Sequence, residues 1–138
     1  MNGRQIARVL SKDIRSRRIF RGVYARDLLN CSNQTFCRGP SVYVVNTDSS
    51  DKPGEHWVAL YFNGLGQCEY FDSFGLPPRH LDIKMFIYKH CRKFCYNKRM
   101  IQPLTSDTCG YYVIYYILMK SRGLSLIRAM IHFNSHQP

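Results

Sequence analysis

Four residues of this 138-residue chain have types and spacings suited to nucleophilic chemistry: His56, Asp72, Gln102 and Cys109. Cys109 opens a continuous apolar run that follows the polar residues Ser106, Asp107 and Thr108. That pattern predicts a buried helix capped at Ser106 or Asp107 and ending near Gly123. A thiol at a helix N-terminus meets outward-pointing N–H groups and the positive end of the helix dipole, and both favour the nucleophilic thiolate. Gly110 leaves the backbone beside the sulfur uncluttered. His56 and Asp72 stand 16 residues apart, on either side of a hairpin signal, so their side chains meet if they share a face. An imidazole that accepts a thiol proton and a carboxylate that fixes its tautomer form a base and its orienter. Gln102, seven residues before Cys109, is placed to aim an amide at a developing oxyanion alongside the Cys109 N–H. Each residue alone has a plainer reading: a buried structural cysteine, a surface histidine, a turn aspartate, a glutamine before a proline.

The elements that must position these groups follow from periodicity. Ile6, Val9, Leu10 and Ile14 fall at helical spacing, predicting an amphipathic helix over 2–17. Residues 19–29 read as irregular, interrupted by Gly22. Strands are expected at 41–46, 56–62 and 67–72, with a polar turn over 47–55 and the hairpin loop Asn63-Gly-Leu-Gly66. A second helix is expected over 79–96, with Leu81, Met85, Tyr88, Cys91 and Cys95 on its buried face, and a brief strand over 98–101. The whole reads as one α+β domain over residues 1–138, a small central mixed sheet packed on the helix that carries Cys109.

Order and local sequence together resemble a family. Gly54-Glu-His-Trp-Val-Ala-Leu-Tyr-Phe62, Tyr70-Phe-Asp-Ser-Phe-Gly75 and Gln102 with six residues between it and Cys109-Gly110 resemble the adenain family, the adenovirus-type cysteine proteases. The same His, Asp or Glu, Gln, Cys order is shared with proteases that deconjugate SUMO and related modifiers. Leu10-Ser-Lys-Asp-Ile14, Phe20-Arg-Gly-Val-Tyr24 and Val44-Val-Asn-Thr47 are weaker matches. The resemblance implies Cys109 as nucleophile, His56 as general base, Asp72 (Glu in the adenovirus enzymes) as its orienter and Gln102 as oxyanion donor. Trp57 and Gly110 would line a narrow cleft that takes glycine at or beside the scissile bond. The implied reaction is hydrolysis of a peptide or isopeptide bond through an acyl-enzyme. Protein substrates are implied, either viral capsid or core precursors or modifier conjugates. The implied settings are a host nucleus or a virion.

Charge adds a second expectation. Twenty Lys and Arg against nine Asp and Glu give a net charge of +11. Such an excess suits an anionic partner. Arg15, Arg17 and Arg18 in one basic cluster and Lys89, Arg92 and Lys93 in another are candidate phosphate contacts. DNA is an activator in the adenovirus enzymes, so the resemblance extends to a DNA cofactor. Their disulfide-linked peptide activator is left open, because only Cys91 and Cys95 loosely match its anchor. No metal is expected: Cys31, Cys37, His90, Cys91 and Cys95 do not form CxxC pairs. No apolar run reaches the roughly 20 residues of a membrane span, and the first twenty residues carry six Lys or Arg and no signal-peptide core. The expectation is therefore a monomer with reduced thiols, neither secreted nor membrane-bound. Two alternatives stay open: a ubiquitin-like-modifier isopeptidase, and a basic DNA-binding protein on a degenerate protease fold.

Overall fold

A computed structural model describes residues 1–31, 39–48, 51, 56–101 and 109–136. Among the described residues, five strands form one mixed sheet in the order β1-β2-β3-β4-β5: β1 (Phe20–Ala25), β2 (Ser41–Asn46), β3 (Trp57–Phe62), β4 (Gln67–Phe71) and β5 (Lys93–Tyr96). The central pairs β2–β3 and β3–β4 are antiparallel, and the edge strands β1 and β5 join in parallel. One face packs against α1 (Gly3–Lys12), α3 (Cys109–Ser121) and α4 (Leu126–His136), with Val44, Ala59, Phe71 and Ile117 at the centre. The other packs against α2 (Leu81–His90) and a 3-10 segment, Arg26–Cys31, around Tyr43, Val58, Leu60 and Phe86. The architecture is the α+β arrangement expected from the sequence.

Local chemistry explains where elements begin and stop. Asn2 accepts the Gln5 N–H at 2.9 Å while Gln5 Oε1 accepts the Asn2 N–H at 2.8 Å, a reciprocal cap that starts α1. Ile6 and Leu10 are buried below it. The helix stops at Lys12, five residues short of the expected end, because Asp13 turns extended. Its carboxylate instead accepts the Ser16 N–H at 2.8 Å and pairs with Arg122 at 2.8 Å. Ile14, which the periodicity placed on the buried face, is 63% exposed.

Three further expectations are corrected. Residues 20–25 form β1 rather than irregular chain; Gly22, at φ +119°, absorbs the register break between Phe20 and Val23. The expected long helix over 79–96 is α2 followed by a strand. Cys91 is extended, the Arg92 and Lys93 N–H groups both donate to the Gly66 carbonyl, and Lys93–Tyr96 pairs with β4. The buried face of α2 is Ile83, Phe86 and Ile87, whereas Leu81, Met85 and Tyr88 are exposed. Both sets have helical spacing, and edge-to-face contact of Phe86 with Tyr43 (5.2 Å) and Phe62 (5.8 Å) selects the first. Cys95 consequently lies exposed on β5 and not on a helix. Residues 98–101 form no strand; they run as a strap whose Ile101 N–H donates to the Ser73 carbonyl at 2.8 Å. α4, beyond Gly123, had no counterpart in the sequence reading.

Candidate active site

The β3–β4 hairpin places His56 and Asp72. Its register pairs Ala59 with Phe71, so one face continues past the strand ends as His56 opposite Phe74 with Asp72 on the diagonal. The His56 carbonyl accepts the Thr47 N–H at 2.9 Å, extending the β2–β3 ladder by one rung and holding the residue at the sheet's end. Phe74 stacks on the imidazole with centroids 4.5 Å apart and planes 13° from parallel. His56 Nε2–H donates to Asp72 Oδ1 at 2.7 Å, which leaves Nδ1 as the ring nitrogen for Cys109.

Asp72 is held more firmly than any sequence pattern suggested. Its carboxylate accepts the Phe74 N–H at 2.8 Å, and its carbonyl accepts the Gly75 N–H at 2.7 Å. Asn97, buried, clasps the Asp72 peptide from the other side: its Oδ1 accepts the Asp72 N–H at 2.9 Å and its Nδ2 donates to the Asp72 carbonyl at 2.6 Å. Gly75, at φ +73°, lies so close to the strap that a Cβ there would be 2.6 Å from the Arg99 carbonyl carbon. No motif around Asn97 marked it. Phe74 and Gly75 stood inside the Tyr70–Gly75 string that carried the resemblance, without roles of their own.

Cys109 is the first residue of α3 and is 5% exposed. Its sulfur is hydrogen-bonded by the His56 ring and by the backbone N–H groups of Trp57 and Gly110. Burial pushes the thiol pKa up, but these donors and the imidazole charge outweigh it, so the thiol titrates below its ordinary value. His56 shows the converse. Burial pulls its pKa down, yet the hydrogen bonds to Asp72 and Cys109 and their charges raise it to about 9. The two shifts favour a thiolate–imidazolium pair, with Asp72 balancing the imidazolium.

Of the remaining expected residues, Trp57 and Gly110 adjoin the sulfur through their backbones. Trp57 sits at the start of β3, its Nε1–H donating to the Met1 carbonyl at 3.2 Å. Gly110 is buried, and a Cβ there would meet Met1 and Ile6 at 3.2 and 3.5 Å. Gln102, Ser106 and Asp107 lie outside the described residues. A hollow of about 280 Å³ opens beside His56 and Asp72, walled by Tyr70, Phe74, Arg79 and His80. Arg15, Arg17, Arg18, Lys89, Arg92 and Lys93 are all exposed. The first three precede edge strand β1 and the last three adjoin edge strand β5, so the two basic clusters occupy opposite edges of the sheet.

A helix-borne thiol, an imidazole and a carboxylate assembled at the end of a mixed sheet form the kind of constellation that cysteine peptidases use. Comparison with known proteins agrees. The pS273R cysteine protease of African swine fever virus is 34% identical over 93 residues, covering 59% of this chain and 34% of the relative. The protein from another isolate of the virus, 31% identical over 93 residues with the same coverage, carries the name SUMO-1 cysteine protease. The chain thus spans about a third of the length of the curated relatives it matches. Among solved structures, the same virus's pS273R protease superposes with a TM-score of 0.63 at 17% identity, over 88% of this chain and 59% of that one. The central domain of an uncharacterized Legionella pneumophila protein gives 0.56 at 15% identity, over 99% and 88%. No family model matches. These similarities are to viral cysteine proteases in part of their length and to their fold, and they do not single out the adenovirus enzymes.

Proposed function

We propose that the chain is a cysteine endopeptidase that cleaves viral or virus-like structural precursors at glycine-containing sites. One observation carries the reading: the Cys109 thiol, on a helix N-terminus, is hydrogen-bonded to an imidazole whose far nitrogen is held 2.7 Å from Asp72. The Cys109 thiolate attacks the scissile carbonyl, and the developing oxyanion takes the Cys109 N–H and, as the resemblance implies, the Gln102 amide. His56, charged at this stage, gives its proton to the leaving amine. It then draws a proton from the water that hydrolyses the acyl-enzyme. Asp72 and the stacked Phe74 keep the ring in one orientation through both steps.

DNA stimulation belongs to the same proposal. Arg4, Arg8, Lys12 and Arg15 line the outer side of α1 and the turn after it, all exposed and three or four residues apart. This cationic stripe suits a phosphate backbone. The setting we assign is an infected cell's nucleus or a virion. A second reading, removal of a ubiquitin-like modifier, is favoured by the name SUMO-1 cysteine protease borne by relatives.

The test is hydrolysis of a fluorogenic peptide ending in Leu-Arg-Gly-Gly and of a SUMO fusion, with and without duplex DNA. Activity that vanishes in Cys109→Ala establishes the nucleophile. Stimulation by DNA that disappears at high salt, and in Arg4→Gln/Arg8→Gln, supports the role of the stripe. Preference for the folded fusion selects the second reading. An inert Cys109 with salt-sensitive DNA binding overturns both in favour of a degenerate fold.

A further inference from the structure

Three cysteines that the peptidase chemistry does not use gather where β4, the end of α2 and β5 meet. Cys68 lies on β4, Cys91 is the first residue after α2, and Cys95 on β5 is paired in register with Glu69. All three are free thiols. The surroundings single out one pair. Cys68 is 2% exposed, within the cluster that contains Phe62, Tyr70 and Ile87, and Cys91 packs on that cluster from its edge. The Cys68 thiol is hydrogen-bonded to the Cys91 sulfur.

The backbone holds this contact from two sides. The Cys91 N–H closes α2 on the Ile87 carbonyl at 2.9 Å. The Arg92 and Lys93 N–H groups then donate to the Gly66 carbonyl at 2.9 and 3.2 Å, two residues before Cys68. The Lys93 N–H also donates to the Cys91 sulfur. With Cys68 S–H and the Lys93 N–H both aimed at it, Cys91 titrates near 7 although burial opposes the shift. Cys68, the donor, is pushed far up by that bond and by burial, so it stays protonated; burial and Glu69 push Cys95 up as well. One partly accessible sulfur is therefore nucleophilic at neutral pH, and the sulfur it touches is a protonated, sheltered one.

We propose that Cys91 is a thiol–disulfide exchange site for low-molecular-weight disulfides of the glutathione type, with Cys68 as its resolving partner. In the first step the Cys91 thiolate bonds to one glutathione sulfur, the glutathione S–S bond breaks, and one glutathione thiolate leaves and takes up a proton. In the second, Cys68 gives up its proton and bonds to the Cys91 sulfur, expelling the second glutathione, which takes up a proton. Two protein thiols are oxidised to one disulfide, and one glutathione disulfide is reduced to two thiols. The bond closes residues 68–91 into a loop that contains Asp72 and Phe74.

The experiment uses the chain as Cys109→Ala, so that the catalytic thiol does not compete. Reduced protein is equilibrated with graded ratios of reduced and oxidised glutathione, acid-quenched, alkylated and mapped by mass spectrometry. A Cys68–Cys91 linked peptide, two hydrogens lighter than its reduced parts, is expected. Adding Cys68→Ser should replace it with a glutathionyl group that persists on Cys91, and adding Cys91→Ser should abolish both species. In the reduced protein at neutral pH, Cys91 should react with iodoacetamide about five to ten times faster than Cys95. The proposal is overturned if no Cys68–Cys91 peptide forms at any ratio. It is equally overturned if glutathione stays on Cys91 while Cys68 is intact, or if Cys95 reacts as fast as Cys91.

Discussion

Replacing Asp72 with Asn removes a charge and leaves a shape. The amide oxygen can still accept the Phe74 N–H, now held at 2.8 Å, and still faces His56 Nε2 across 2.7 Å. What disappears is the larger part of the field that, together with Cys109, holds His56 near 9 against an ordinary value of 6.5, in spite of burial, the strongest single influence on the ring, pulling the other way. A rise from 6.5 to about 9 corresponds to about 3 kcal/mol in favour of the imidazolium. Without Asp72 only Cys109 is left to oppose burial, so the imidazolium is weakened and the Cys109 thiolate loses part of its counter-charge. The direct assay is the rate of iodoacetamide alkylation of Cys109 against pH. In the wild type the thiolate should persist below the ordinary cysteine value. In Asp72→Asn its onset should move upward, cutting the rate at pH 7 by about 10- to 100-fold. The descending limb of peptide hydrolysis, near pH 9 in the wild type, should move down by about two units. Linkage supplies an independent check. A histidine whose pKa is raised on folding contributes its full stability below pH 6.5 and loses it as pH rises through 9. The stability gap between wild type and variant should therefore narrow over that window. An unchanged alkylation profile in Asp72→Asn would refute the reasoning and leave the thiolate to the helix N-terminus and the Trp57 and Gly110 N–H groups.

Three other substitutions probe the supports. Gly75→Ala forces a Cβ to within 2.6 Å of the Arg99 carbonyl carbon at a φ of +73°, and should cost at least about 2 kcal/mol by denaturant midpoint; an unchanged midpoint would mean the strap yields freely. Asn97→Ala strands the Asp72 N–H in a buried site, with an expected loss of about 1–3 kcal/mol. It should also lower kcat with KM little changed, and an equal change in both would place Asn97 in substrate binding instead. Glu69→Gln leaves Lys120, whose side chain is 7% exposed and lies 4.6 Å from the Tyr61 ring centre, without the negative charge it pairs with at 3.0 Å. The expected loss is about 3 kcal/mol, largely restored by adding Lys120→Met, and a wild-type melting curve for the single variant would count against a buried ion pair.

Much of this molecule can be read from near-neighbour spacing. Alternating apolar residues around Asn63-Gly64 specify the hairpin, and with it the 16-residue separation that puts His56 and Asp72 on one face past the strand ends. The apolar run after Cys109 specifies a buried helix with a thiol at its first turn. Strand parity, helix period and cap chemistry depend on residues a few positions apart, so the chain carries them openly. Where two local patterns competed, the order of residues could not choose between them. Leu81, Met85 and Tyr88 make as regular a stripe as Ile83, Phe86 and Ile87, and the aromatic side chains of β2 and β3 decide which is buried.

The same holds for both sheet edges and for the supports of the site. β1 exists because β2 offers a parallel partner about twenty residues away, and β5 exists because the chain after α2 is tied to Gly66 and then pairs with β4. Asn97 reaches Asp72 across 25 positions, and the Cys68–Cys91 contact spans nearly as many. By itself the sequence determined the types of the reactive groups, their order and the hairpin and helix that carry them. Only the tertiary structure decided which groups are buried, which donors reach the sulfur and the carboxylate, and so which way their pKa values move. Burial and charge proximity are properties of three-dimensional neighbours, and most of the neighbours that matter here are far apart along the chain.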